Sequence, residues 1–267
     1  MEQKTFEQFR RIVYEHSGIA LGENKQALVA ARIGKRMRQL GIGTHADYLK
    51  YVTADGQQDE VVHLLDVIST NVTSFFREPA HFDFVRAAVS RWLAQGQRRF
   101  RFWSTACATG EEPYSLAMVL AETMRGYEVD CRILATDIST GALRKCRAGT
   151  YPVEKLEHVP QSALRHWFKL SREGEQTVAT VSPLLQKMIV FTRLNLSQPP
   201  FPMKGPFDLV LCRNVMIYFN NAGRRRLLDE IYRTVRTDGY LLVGHAESLT
   251  GLVSSFKAIR PSIYTKR

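Results

Sequence analysis

The first candidates for chemistry are two adjacent acids, Glu111 and Glu112, which follow a run of small residues at 105–110. Small residues allow a ligand to approach the backbone closely. Carboxylates here would repel a phosphate but suit an ammonium group, so the pair favours a cofactor that carries an amino acid over a dinucleotide. The alternative is that both acids complement the dipole of the helix that Pro113 opens.

A further acid, Asp137, ends the apolar segment 132–136, about one strand–helix–strand unit after Glu111. An acid after the second strand commonly binds ribose hydroxyls in nucleotide-binding folds. The same side chain can instead cap a helix that starts at Ser139. The spacing from Glu111 favours the ribose interpretation.

Polar residues also follow two later apolar segments. Arg213 and Asn214 come directly after segment 207–212. Asn195 comes after segment 189–194. Ligands of open parallel sheets bind outside the carboxyl ends of the strands, so we expect these residues at the same sheet edge as the acids. A turn or helix-cap role is the alternative for either asparagine.

The chain that positions these residues has two contrasting parts. Residues 1–70 have apolar side chains at helical spacing, which predicts a small helical domain, and residues 71–99 read as a linker and a connecting helix. From residue 100 to residue 267, short apolar strands alternate with helices, which predicts an α/β fold with a Rossmann-like, mostly parallel sheet. Residues 151–187 interrupt that alternation and predict a small inserted β-subdomain, with one long crossover loop as the alternative.

Composition restricts the class of protein. The 267 residues are 45% hydrophobic, yet no apolar run approaches the roughly 20 residues that span a bilayer. The N-terminus lacks a signal-peptide core, so we expect a cytoplasmic protein without direct membrane insertion.

The four cysteines form no Cys-x-x-Cys pair, which predicts free thiols and no metal site. The net charge of +11 suits an acidic partner, but without a polybasic tail we expect no nucleic acid.

Five segments resemble, in sequence and in order, those of CheR-type chemotaxis-receptor methyltransferases. They are residues 70–78, 103–115, 135–138, 212–219 and 244–247. The resemblance covers essentially the whole chain and implies a class I methyltransferase fold that uses S-adenosylmethionine. It also implies a reaction, in which glutamate side chains of methyl-accepting chemotaxis receptors become γ-methyl esters and so tune chemotactic adaptation.

Position by position, the resemblance implies a site. Glu111 would bind the methionyl ammonium and Asp137 the ribose. Arg77 and Tyr218 would be the catalytic residues nearest the transferred methyl, although Tyr218 can instead be a packed aromatic. The full set of implied cofactor-binding residues is Asn71, Thr73, Arg77, Glu111, Asp137, Asn195, Leu196, Arg213 and Asn214.

The implied substrate explains a local concentration of basic residues on the second predicted helix. These predicted substrate-binding residues are Lys25, Arg32, Lys35 and Arg36. Receptor methylation regions are acidic helices, so a basic helix face complements them, whereas a solvated face is the alternative. Segment 171–176 has one glycine where members that dock on a receptor's C-terminal pentapeptide have a glycine-rich loop, so such docking is not favoured. We expect a monomer.

Two other functions compete with this interpretation. A methyltransferase of nucleobases would carry an aromatic–proline signature near the fourth strand, which segment 212–215 lacks, and a small-molecule methyltransferase remains the related alternative. A catalytically silent, cofactor-sensing module is disfavoured by the intact Arg77 and the two strand-end acids. His245 and Glu247 resemble a metal or acid–base pair, but no further ligands accompany them, so we interpret both as structural.

Overall fold

The N-terminal part is a helical bundle around an apolar core. In the computed structural model, which describes residues 1–249, 251 and 255–267, its helices are α1 (Gln3–Ser17), α2 (Gln26–Leu40), α3 (His45–Thr53) and α4 (Gln58–Ile68). Phe6, Phe9 and Val13 recur at helical spacing on α1 and are all buried, so this face turns inward. Gly18 and Gly41 end α1 and α2 in the left-handed conformation, which glycine adopts without strain.

A polar linker joins the bundle to α5 (Pro79–Ala94). Pro79 is the first residue of α5. Its fixed φ suits a helix, and it has no N–H at a position where a helix offers no acceptor for one. Just before it, Phe76 and Glu78 have φ of 52° and 58°, an uncommon conformation for residues other than glycine. Backbone strain of this kind is often found at functional sites, and here it flanks a predicted catalytic residue.

The rest of the chain builds two sheets and the helices that cover them. In chain order, the elements are β1 (Arg99–Ser104), α6 (Glu111–Thr123), β2 (Asp130–Asp137), α7 (Thr140–Ala148), β3 (Thr150–Pro152), α8 (Gln161–Trp167), β4 (Phe168–Glu173), β5 (Gln176–Val181), α9 (Pro183–Gln186), β6 (Ile189–Arg193), β7 (Phe207–Cys212), α10 (Asn221–Thr234), β8 (Val235–Val243), β9 (Lys257–Arg260) and β10 (Ile263–Thr265).

The main sheet confirms the predicted Rossmann-like α/β fold. Within the described residues it has seven strands in the order β6-β2-β1-β7-β8-β10-β9, parallel from β6 to β8 and antiparallel beyond. Every position of β7 is buried, as expected for a central strand covered on both faces. From β1 the chain winds one way to β2 and β6, and later the other way to β7 and β8. A ligand crevice is expected at this reversal, at the carboxyl ends of β1 and β7.

The segment between α7 and β6 is a folded subdomain, as predicted, and not a crossover loop. Strands β3, β5 and β4 form a three-stranded antiparallel sheet in that order. Tyr151 and Phe168 of this subdomain pack edge-on against Phe75 of the linker. The Tyr151 hydroxyl also donates a hydrogen bond of 2.8 Å to the carbonyl of Thr109. The subdomain therefore supports the loop between β1 and α6.

Several hydrogen bonds fasten the helical bundle to the sheet domain. Asp66 of α4 accepts hydrogen bonds from the backbone N–H and the hydroxyl of Thr140, at the start of α7. Beyond β6, the amide of Asn195 donates to the carbonyl of His16 at the end of α1. These contacts hold the bundle over the carboxyl ends of the parallel strands. In the part of the chain that the structure describes, we find no helix with the length and apolar character needed to cross a membrane.

Candidate active site

A cavity of about 530 Å³ lies between the helical bundle and the carboxyl ends of β1, β2 and β7. This volume is within the range of about 300–1,000 Å³ that is typical of small-molecule sites. The predicted cofactor residues that line it are Asn71, Thr73, Arg77, Asp137, Asn195, Leu196, Arg213 and Asn214. Tyr218 lines the cavity as well, whereas Glu111 does not.

Asp137 lies at the end of β2 with 8% of its surface exposed. Its two carboxylate oxygens accept hydrogen bonds from the backbone N–H groups of Ser139 at 2.9 Å and Ala108 at 2.8 Å. Burial raises the pKa of Asp137 to about 6, although these hydrogen bonds favour the charged form. The cap of α7 is Ser139, whose hydroxyl accepts from the N–H of Ala142, so Asp137 itself is not the N-cap.

Glu111 is fully buried but turns toward the inserted subdomain. One carboxylate oxygen accepts a hydrogen bond of 2.6 Å from the hydroxyl of Thr109, and the other pairs with the ammonium of Lys155 at 2.8 Å. Glu111, which the sequence predicted to bind the cofactor ammonium, therefore makes its contacts outside the cavity. Its contacts tie the start of α6 to the inserted subdomain.

Glu112, the next residue, is the glutamate that lines the cavity. Successive helix residues point about 100° apart, and here Glu111 faces the inserted subdomain while Glu112 faces the cavity. The Glu112 carboxylate accepts hydrogen bonds from the hydroxyl of Ser104 at 2.7 Å and from the guanidinium of Arg213 at 3.0 Å. Burial raises the pKa of Glu112, while the charge of Arg213 acts in the opposite direction. The structure therefore brings Glu112, in place of the predicted Glu111, together with the other site residues.

Arg213 connects the elements around the cavity and is only 4% exposed. Its guanidinium binds the carboxylate of Glu112 at 3.0 Å and that of Glu78 at 3.1 Å, and it donates to the carbonyl oxygen of Arg77. Burial opposes the charge of Glu78, but the attraction of Arg213 outweighs it and lowers the pKa of that carboxyl. The end of β7 thereby fixes both the linker and the first turn of α6.

Glu247 positions the segment that carries Asn214 and Tyr218. Its buried carboxylate accepts hydrogen bonds from the backbone N–H groups of Asn214, of Ile217 at 3.2 Å and of Gly244 at 2.9 Å. These bonds hold a left-handed turn at Asn214, with φ of 57°, and the 3₁₀-helix Met216–Tyr218 that follows it. This arrangement agrees with the structural role that the sequence suggested for Glu247.

Arg77 carries a charge that is available at the mouth of the cavity. Its side chain is exposed, and its guanidinium makes one long hydrogen bond of 3.4 Å to the carbonyl of Val72. Among residues 1–249, 251 and 255–267, no carboxylate lies within 4.0 Å of it. Tyr218 is half-buried in the same cavity, and no described residue forms a hydrogen bond with its hydroxyl. Both groups can therefore engage a ligand.

The predicted basic face of α2 is divided by the structure. Lys25 and Lys35 are exposed, and Lys25 also lines the cavity. Arg36 instead turns inward, where its guanidinium binds both carboxylate oxygens of Glu60 at 3.0 and 2.7 Å. Glu60 is 3% exposed and also accepts from the hydroxyl of Tyr48. Arg36 is therefore a structural ion-pair partner, contrary to the prediction of an exposed substrate-binding cation.

Arg32 has an intermediate position. It is half-buried beside the cavity and donates to the carbonyl of Ile68 and, at 3.3 Å, to the hydroxyl of Thr70. These contacts satisfy acceptors at the carboxyl end of α4 and in the start of the linker. Arg32 consequently holds the linker to the bundle, and only part of its charge faces the opening.

One group of side chains has the composition of a metal site. Glu78, His81 and His245 place one ligand atom each within 4.8 Å of one another. The guanidinium of Arg213, however, already binds Glu78, and its charge would repel a metal cation. Burial, with the charge of Arg213, lowers the pKa of His81 to about 4, so this imidazole is neutral at physiological pH. We therefore assign these residues to the support of the linker and not to metal binding.

Three acids that shape the site were not among the predicted site residues. Glu112 belongs to the acidic pair from which Glu111 was selected. Glu78 and Glu247 belong to segments 70–78 and 244–247, which carried the resemblance. Each of these segments holds an acid near a backbone turn, and that signal alone could have marked them as positioning residues.

Comparison with known proteins matches both parts of the chain. The CheR methyltransferase all-alpha domain matches residues 4–69, and the SAM binding domain of CheR methyltransferases matches residues 71–265. Chemotaxis protein methyltransferase 2 of Pseudomonas aeruginosa is 34% identical over 263 residues, which cover 98% of this chain and 93% of the relative.

Two further relatives are the chemotaxis protein methyltransferases of Borreliella burgdorferi and Escherichia coli. They are 35% and 32% identical, over 96% and 97% of this chain and 92% and 89% of the relatives. The two domain matches leave few residues uncovered, and these relatives align over nearly their full length. The chain therefore belongs to the CheR methyltransferase family and is an S-adenosylmethionine-dependent methyltransferase.

Proposed function

We propose that this enzyme transfers the methyl group of S-adenosylmethionine to glutamate side chains of chemotaxis receptors, which gives γ-glutamyl methyl esters. The observation that carries the proposal is the order of charges in the cavity. The acids Glu112 and Asp137 lie inside, whereas the cation Arg77 stands at the mouth. The names of the relatives, which are chemotaxis protein methyltransferases, support the receptor as the substrate.

The interior fits a cationic cofactor. Two carboxylates are kept from solvent there, at 12% exposure of the Glu112 side chain and 8% exposure of Asp137, and an ammonium or sulfonium ligand offsets the cost of burying them. Glu112 would accept hydrogen bonds from the methionyl ammonium, and Asp137 would accept them from the ribose hydroxyls. Asn195 and Leu196 would contact the adenine, since they follow the strand next to the one that Asp137 ends.

The linker forms the cover of this site. Asn71 and Thr73 line the cavity from the linker side, and Arg213 fixes the residues that follow them. Asn214, held by Glu247, completes the wall beneath the linker.

The chemistry needs little from the protein beyond positioning. The cofactor, when bound, would supply a methyl group on a sulfonium sulfur; as the carbon–oxygen bond to glutamate forms, the carbon–sulfur bond would break and neutral S-adenosylhomocysteine would be the leaving group. A glutamate with a pKa of about 4.3 is already ionised at neutral pH, so no general base is required. Arg77 binds one oxygen of the substrate carboxylate and leaves the other free to attack. The hydroxyl of Tyr218 donates a further hydrogen bond that orients the same carboxylate.

Recognition of the receptor rests on the helical domain. Lys25, in the 3₁₀-helix just before α2, and Lys35 of α2 are exposed and attract an acidic helix. On the inserted subdomain, β4 and β5 are joined by a tight turn at Gly174, the single glycine of that loop. We therefore do not assign the receptor's C-terminal pentapeptide to this turn.

The test is methyl transfer from labelled S-adenosylmethionine to receptor-rich membranes. Carboxyl esters hydrolyse in mild alkali, so the label should be released as methanol. Arg77→Ala should abolish most of the transfer, whereas Arg125→Ala, which removes an exposed arginine outside both the cavity and the helical domain, should not. Alkali-stable label on protein, or label on nucleic acid or a small molecule, would contradict the proposal.

A further inference from the structure

The mouth of the cavity is ringed by exposed apolar side chains. Val72 of the linker, Ile217 of the 3₁₀-helix and Leu28 of α2 are 79%, 49% and 45% exposed, and all three line the cavity. We call these three residues the apolar rim. They come from three different elements, so no single helix face explains their exposure. Apolar side chains that converge from separate elements on one opening are typical of an interaction surface.

The charges beside the apolar rim have one sign. The exposed cations Lys25 and Arg77 line the same cavity. Among the described residues that line it, the acids are Glu112 and Asp137, whose side chains face the interior. The exposed charges at the mouth are thus basic, while both acids lie inside, where the buried Arg213 pairs with Glu112. A partner that covers the mouth must be negatively charged and must also present apolar side chains.

We propose that the apolar rim binds an apolar side chain of an acidic substrate helix, one helical turn away from the glutamate that is methylated. This inference rests on the proposed function. On a helix, residues three or four positions apart share one face, with Cβ atoms about 5–6 Å apart. When a glutamate enters the mouth toward Arg77, its neighbour one turn away meets Val72 or Ile217. The rim therefore selects which glutamates of an acidic helix are methylated.

Serine variants of the rim test this inference. Val72→Ser and Ile217→Ser remove apolar surface from exposed positions, so both proteins should melt at the wild-type temperature. Each variant should raise the Michaelis constant for receptor-rich membranes about tenfold, because the contact contributes to substrate binding and not to the chemical step. The affinity for S-adenosylhomocysteine should stay within about twofold of wild type. Leu184→Ser is the matched control, since Leu184 is 66% exposed on α9 and does not line the cavity.

A second arm changes the substrate. Receptors in which the apolar residue one turn from the methylated glutamate becomes serine should be poor substrates for the wild type. The Val72→Ser enzyme should methylate these altered receptors almost as well as the wild-type enzyme does, because the two changes remove the same contact. If the Michaelis constants of Val72→Ser and Ile217→Ser equal that of Leu184→Ser, the proposed role of the apolar rim in substrate binding is wrong. The proposed function would stand. A wild-type enzyme that forms no alkali-labile ester at all would overturn both.

Discussion

Replacing Glu112 by glutamine should weaken cofactor binding, whereas the same change at Glu111 should not. Glutamine keeps the volume of the side chain and can still accept a hydrogen bond from Ser104 or Arg213. It removes the negative charge that faces the cavity. A hydrogen bond to a charged group contributes about 1.5–3 kcal/mol, which corresponds to roughly a 10- to 150-fold loss of affinity.

The matched variant Glu111→Gln removes the pairing with Lys155, whose side chain is 45% exposed. We expect it to change the thermal stability of the protein and to leave cofactor affinity within about threefold of wild type. Calorimetric titration with S-adenosylhomocysteine measures both variants, and thermal melting confirms that each is folded. If Glu111→Gln binds more weakly than Glu112→Gln, the assignment of the cavity-facing acid is refuted.

Three further predictions follow from the contacts of single residues. Arg77→Ala should reduce turnover about 100-fold or more, because an oriented substrate is lost, and should change the free energy of unfolding by less than about 0.5 kcal/mol; urea denaturation and rate measurements check both. Because burial raises the pKa of Asp137 to about 6, affinity for S-adenosylhomocysteine should fall as the carboxylate protonates below that pH, and Asp137→Asn should show a smaller fall in a pH series of titrations. Glu60→Gln should lower the free energy of unfolding by about 1.5–3 kcal/mol, since it weakens a buried charged contact with Arg36. If the variant is as stable in urea as the wild type, the contact does not hold Arg36, and Arg36 is free to bind substrate.

The fold was largely predictable because local pattern and tertiary structure agree. The apolar run 207–212 predicts a buried strand, and all six residues of β7 are buried. Gly18 and Gly41 end their helices as glycines commonly do. The interruption at 151–187 corresponds to a folded three-stranded sheet, because a segment of that length rarely lacks internal structure.

The choice between Glu111 and Glu112 could not be made from the sequence. It depends on the rotational phase of α6, and one residue of helix rotates a side chain by about 100°. Pro113 suggested that the helix opens there, but α6 begins at Glu111. The first-turn acids then diverge, one toward the inserted subdomain and the other toward the cavity.

The sequence did not reveal the structural role of Arg36, for a different reason. Its partner Glu60 lies on another helix, and the pairing depends on how α2 and α4 pack. Seen along the sequence, Arg36 belongs to a basic helix face. In three dimensions its charge is neutralised inside the bundle, so of the four predicted substrate-binding cations the exposed ones are Lys25, just before α2, and Lys35.

The most direct test of the central claim is to locate the transferred methyl group. Receptor-rich membranes are incubated with the enzyme and S-adenosylmethionine, and the receptor is then digested and mapped by tandem mass spectrometry. We predict that the methyl group lies on glutamate side chains within acidic helical segments, and that the Arg77→Ala variant leaves those peptides unmodified. A methyl group on another residue type, or receptors that stay unmodified while another acceptor is methylated, would contradict the account.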